Sequence, residues 1–101
     1  MKKILLCCSA GMSTSMLVKK MQQVAEIKGI DCKIEAMSVS EFGDAIKEYD
    51  VCLLGPQVRF QLDELSKIAD EYGKNIAAIS PQAYGMMKGE EVLQQALDLI
   101  N

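Results

Sequence analysis

The chain has 101 residues, half of them hydrophobic and a quarter charged, which fits one small globular domain over residues 1–101 and excludes a disordered chain. A net charge of −3 gives no general attraction to nucleic acid or anionic lipid, and no apolar run nears the ~18 residues of a membrane span. The complete lack of histidine excludes Ser–His and Cys–His nucleophile pairs, imidazole proton shuttles, His-ligated metals and phosphohistidine carriage by this chain.

Lys3-Ile4-Leu5-Leu6-Cys7 is a short apolar run, the pattern of a strand buried on both faces. Small and polar residues from Cys8 to Ser15 read as a loop. Leu17, Met21, Val24 and Lys28 then fall at helical spacing, with Gly29 as the stop. Asp31 to Met37 predicts a second strand. Ser40 starts a modest helix to Tyr49, and Val51-Cys52-Leu53-Leu54 is a third strand ended by Gly55-Pro56. Val58, Leu62, Leu65, Ala69 and Tyr72 form one stripe of an amphipathic helix. Asn75 to Ile79 is a fourth strand ended by Ser80-Pro81, and a last helix begins near Glu90 with Leu93, Ala96, Leu97 and Ile100 on one face. The alternation predicts a three-layer α/β fold: a four-stranded parallel sheet in order 2-1-3-4 with helices on both faces.

Ligands in such sheets bind at the carboxyl ends of the strands. Three loops leave those ends here: Cys8 to Ser15, Gly55-Pro56-Gln57 and Ser80-Pro81-Gln82. The first is the most informative. Small residues let the main-chain N–H groups of Ser9, Ala10, Gly11, Met12, Ser13, Thr14 and Ser15 turn inward as a nest at a helix N-terminus. That makes a cradle of phosphate size, to which the hydroxyls of Ser13, Thr14 and Ser15 add donors. Nucleotide signatures of the G-x-x-x-x-G-K-[ST] and G-x-G-x-x-G kinds are absent.

A thiol at the base of such a loop is stabilised as thiolate by the donors that would hold phosphate, so Cys8 is the expected nucleophile, with a lowered pKa. The competing reading makes Cys8 a strand-end hydrophobe and the serines a helix cap. Strand alternation sends Cys7 and Cys8 to opposite faces. Cys7 reads as the last strand residue, packed under a helix, and Cys8 as the first of the loop. Cys32 and Cys52 read as strand hydrophobes, and with no C-x-x-C spacing neither metal nor cofactor is expected. Lys19-Lys20 is either a solvated helix face or a docking point for an anionic partner.

Small tyrosine phosphatases and arsenate reductases of similar fold carry a C-x5-R loop whose arginine clamps phosphate. Here that position is Thr14, and the sole arginine, Arg59, lies elsewhere. The phosphatases' acid, an Asp in an Asp-Pro pair, is also missing, because both prolines follow Gly55 or Ser80. A loop that only accepts and passes on an activated phosphoryl group needs neither.

Cys8-Ser9-Ala10-Gly11-Met12-Ser13-Thr14-Ser15, Leu53-Leu54-Gly55-Pro56-Gln57 and Ala83-Tyr84-Gly85 together resemble the IIB components of the lactose/cellobiose (chitobiose) class of the bacterial phosphoenolpyruvate-dependent sugar phosphotransferase system. The resemblance covers essentially the whole chain. It implies that Cys8 takes a phosphoryl group from a phosphohistidine on a IIA protein and passes it to a sugar held by a IIC membrane permease. Cellobiose- and chitobiose-type β-glucosides are the favoured sugars. It implies a cytoplasmic chain that meets the inner membrane face only through the permease, without inserting. From their places after the strands, Gln57 and Tyr84 would rim the site, and Ala10, Met12, Met16, Tyr84, Met86 and Met87 would form an apolar docking surface, unless Met16 and Met86 are simply core. The alternatives are a Cys-dependent phosphatase or reductase, and an anion-binding regulatory module in which Cys8 is never phosphorylated.

Overall fold

The computed structural model describes residues 1–9 and 12–100, residues 12 and 13 by backbone alone. Strands β1 (Lys2–Cys8), β2 (Cys32–Ser38), β3 (Val51–Leu54) and β4 (Asn75–Ala78) form one parallel sheet in the order β2-β1-β3-β4, the predicted order. The central pair explains the apolar runs. Ile4 and Leu6 of β1 and Val51 and Leu53 of β3 face one layer, while Leu5, Cys7, Cys52 and Leu54 face the other.

The first layer is α1 (Met12–Lys28) and α5 (Gly89–Leu99), which bury Leu17, Val18, Met21, Val92, Leu93 and Ala96. Their crossing is close: a Cβ on Gly89 would lie 2.8 Å from the Lys20 Cβ and 2.9 Å from its carbonyl carbon. The opposite layer holds α2 (Phe42–Ala45) and α3 (Leu62–Glu71), with Phe42, Ile46, Leu65 and Ala69 in its core. Glutamine amides from the first layer cap carbonyls of both edge strands. Gln22 donates to the Ile34 carbonyl at 3.0 Å and Gln95 to that of Ala78 at 3.1 Å, blunting edges that would otherwise invite pairing.

Several local expectations change. The helix α1 begins at Met12, so residues 12–15, expected in the loop, form its first turn. The helix from Ser40 to Tyr49 is instead a 3-10 turn (Val39–Glu41), α2, and a second 3-10 turn (Ile46–Glu48). With Gly43 inside a segment too short to hold a helix alone, docking of Phe42 and Ile46 on the sheet decides the backbone. Its cap is Ser38, whose hydroxyl accepts from the Ser40 N–H, and not Ser40. The stripe from Val58 to Tyr72 is likewise broken, because 3-10 backbone over Pro56–Gln61, with Val58 at φ −120°, precedes α3. Ser80-Pro81 ends β4 but also starts a helix, α4 (Pro81–Gly85), in which the Ser80 hydroxyl accepts from the Ala83 N–H at 3.1 Å. Finally, β1 runs one residue further than expected: Cys8 is its last residue, in register with Ser38, and not the first of the loop.

Candidate active site

The carboxyl ends of β2 and β3 flank Cys8 at the end of β1, with that of β4 beyond β3. The Cys8 side chain is buried, and the buried Thr14 hydroxyl donates to its Sγ at 3.6 Å. Thr14 stands in the first turn of α1, three and four residues before Leu17 and Val18, so the stripe that seats the helix also turns this hydroxyl inward. The first turn of a 17-residue helix thus lies over the thiol, where its N–H groups and partial positive charge favour an anion.

The end of β3 closes the second side. Gly55 is buried, its N–H donates to the Cys7 carbonyl at 2.8 Å, and a Cβ there would lie 3.4 Å from the Cys8 Cβ and 2.7 Å from Gln57 Oε1. Only glycine allows this approach without moving Gln57. Gln57 Nε2 in turn donates to the Tyr84 hydroxyl at 3.3 Å, joining the loops after β3 and β4. On the third side the Ser38 hydroxyl, at the end of β2, donates to the Ser9 carbonyl at 3.2 Å and lies 3.0 Å from the Ser40 hydroxyl.

The structure therefore brings together Cys8, Ser9, Thr14, Gln57 and Tyr84. Ser15 lies in the first turn of α1 but is exposed. Ala10, Gly11 and the side chains of Met12 and Ser13 lie outside the described residues. Cys7 faces the opposite layer beside Cys52, where burial and the neighbouring Cys7 push the Cys52 thiol well up. Of the expected docking residues, Met16 and Met86 are exposed at 61% and 64%, and Phe60, 78% exposed after β3, was not anticipated. Ser38 and Gly55 are the other additions. A strand-end glycine before proline reads as a turn, and its contact with Cys8 exists only once β1 and β3 are neighbours.

A further hollow lies elsewhere. An open groove of about 880 Å³ runs beside β4 and α5, lined by Ala77, Gly89, Gln95 and acidic residues of α5. Its lining includes neither a cysteine nor a residue of the three loops, so it is separate from the site around Cys8.

A three-layer parallel α/β domain with a thiol at the end of its first strand, beneath a helix N-terminus, has the architecture of phosphate-handling proteins. The family model described as the lactose/cellobiose-specific IIB subunit of the phosphotransferase system matches residues 3–95, and the chain belongs to this family. It is 43% identical over 100 residues to the oligo-beta-mannoside-specific EIIB component of Bacillus subtilis, covering 99% of this chain and 97% of that one. It is 45% identical over 105 residues to the cellobiose-specific EIIB component of Lactococcus lactis subsp. lactis, with the same coverage of each. The solution structure of the cellobiose-specific IIB component from Borrelia burgdorferi superposes with a TM-score of 0.83 at 42% identity, over 99% of this chain and 92% of that one. A more distant relative, the lactose-specific EIICB component of Lacticaseibacillus casei, is 24% identical over 81 residues, 80% of this chain and 14% of that protein.

Proposed function

We propose that the chain carries a phosphoryl group on Cys8 between a IIA phosphohistidine and a sugar bound to a IIC permease. The single observation that carries the assignment to Cys8 is the buried contact between the Thr14 hydroxyl and its Sγ at the first turn of α1. In the first transfer the Sγ–P bond forms as the N–P bond of the donor breaks, and the thiol proton ends on the departing imidazole nitrogen. In the second the S–P bond breaks as a sugar hydroxyl attacks phosphorus, and its proton returns to sulfur. The main-chain N–H groups of residues 9 to 15, with the hydroxyls of Ser13, Thr14 and Ser15, hold the phosphoryl oxygens throughout. No metal or cofactor enters either step.

The chain works in the cytoplasm and reaches the inner membrane face through the permease; no helix among the described residues is long and apolar enough to cross a membrane. The sugar is a β-glucoside of the cellobiose or chitobiose type, and the two cellobiose-specific relatives above support the first of these. A relay rebuilt from phosphoenolpyruvate, the upstream carriers and permease vesicles tests the proposal. Cys8→Ser abolishes sugar phosphorylation, because a neutral hydroxyl without a base is a poor nucleophile, while Cys7→Ser, Cys32→Ser and Cys52→Ser retain it. Full activity in Cys8→Ser would refute it.

A further inference from the structure

The pairing of β1 with β2 ends at Cys8 and Ser38, and one further link between the two chains is made by a side chain. After Ser38 the backbone leaves β2 for the 3-10 turn Val39–Glu41, and the Ser40 N–H turns back onto the Ser38 Oγ at 3.3 Å. A serine hydroxyl has one hydrogen to give and two lone pairs to receive with. The Ser38 hydrogen goes to the Ser9 carbonyl at 3.2 Å, which leaves the Ser40 hydroxyl, 3.0 Å away, to donate. With one bond given and two received, the Ser38 hydroxyl is fully engaged. The Ser9 carbonyl belongs to the first residue after the phosphoryl acceptor. A carbonyl oxygen only accepts hydrogen bonds, as phosphoryl oxygens do, so the two repel when they face one another. A peptide group is a rigid plane, so a bond from the neighbouring strand to its oxygen limits the swing of the whole group.

We propose that Ser38 is a positioning residue of the transfer reaction: its hydroxyl keeps the Ser9 carbonyl tied to β2 while Cys8 carries the phosphoryl group, so that an acceptor next to the nucleophile does not oppose the incoming charge. The inference rests on Cys8 being the acceptor. Ser38 acts through Ser9 and touches no reacting atom; no covalent bond forms or breaks at it, and its proton stays on its own oxygen. The loaded state depends on the restraint more than the empty one, because only the phosphoryl group brings up to two negative charges beside the carbonyl.

The equilibrium constant for phosphoryl exchange with the phosphohistidine donor tests the restraint, because a residue that only stabilises the fold affects the empty and loaded chains alike and leaves this constant unmoved. Ser38 is half-buried at the end of an edge strand, so its variants fold. Ser38→Ala removes the hydroxyl and shifts the constant toward the donor by about fivefold, the worth of one neutral hydrogen bond. Ser38→Thr keeps a hydroxyl at the same position and restores the wild-type value. Ser40→Ala retains both the Ser40 N–H and the bond from Ser38 to Ser9, and stays within about twofold of wild type. A wild-type constant in Ser38→Ala, a Ser38→Thr chain as impaired as Ser38→Ala, or an equal shift in Ser40→Ala would each overturn the inference while leaving Cys8 as acceptor. A wild-type chain that takes no label on Cys8 would overturn the assignment of Cys8 itself, and this inference with it.

Discussion

Thr14 occupies the position at which C-x5-R phosphatases place their arginine, and it meets the thiol with a neutral hydroxyl instead. A hydroxyl can follow sulfur through thiol, thiolate and phosphorylated states without holding the phosphoryl group so tightly that it cannot leave. Thr14→Val keeps the branched shape and removes the hydroxyl. Phosphoryl acceptance in a rapid-quench assay falls about tenfold. A wild-type acceptance rate would reduce Thr14 to a packing residue. Its inward direction was legible: Thr14 lies one turn before Leu17 and Val18 on the stripe that also holds Met21, off which Ser15 falls, exposed. The last strand residue was not legible, because Cys7 and Cys8 are chemically identical and the strand end depends on pairing with Ser38. The opposite facing of the two follows from alternation alone, and Cys7 joins the far layer accordingly.

Among the helices, long stripes were readable and short segments were not. α1, α3 and α5 follow apolar periodicity, whereas the turns around α2 take their shape from what Phe42 and Ile46 touch. The Ser80-Pro81 pair carried a start signal for α4, a capping serine followed by proline at the first helical position, hidden by its equal fitness to end a strand. The close α1–α5 crossing was invisible, since Gly89 has meaning only against Lys20. Gly89→Ala forces the two helices apart and costs about 1–3 kcal/mol in a denaturant melt, with phosphoryl acceptance retained under folding conditions. An unchanged midpoint would show that the crossing has slack. The connector before β3 is tied to β2 by Tyr49, whose phenol is pushed up to about 12 by burial and then by its bond to Glu35. Folding therefore favours the neutral phenol. That contribution is complete below the ordinary tyrosine value near 10 and is lost as pH rises through about 12. Ultraviolet titration of the folded chain finds a late phenol ionisation that Tyr49→Phe removes; a wild-type chain with no such late step would contradict the buried bond.

Taken as a molecule, the fold was the most legible part, because two apolar central strands flanked by polar-to-mixed edges leave few ways to order a parallel sheet. That order brings the loops after β1, β3 and β4 to one end, where Cys8, Gly55, Gln57 and Tyr84 meet though separated by up to three strands in sequence. The chain lacks a basic imidazole, and what the structure places on the Cys8 thiol is the Thr14 hydroxyl from the first turn of α1. Everything functional then depends on which sulfur receives phosphorus. The decisive measurement is intact-mass and peptide-mapping analysis of the chain after phosphorylation by the upstream carriers, under conditions that preserve the S–P bond. The account predicts a single added phosphoryl group on Cys8. A label on Cys7, in the opposite layer beside Cys52, would contradict it.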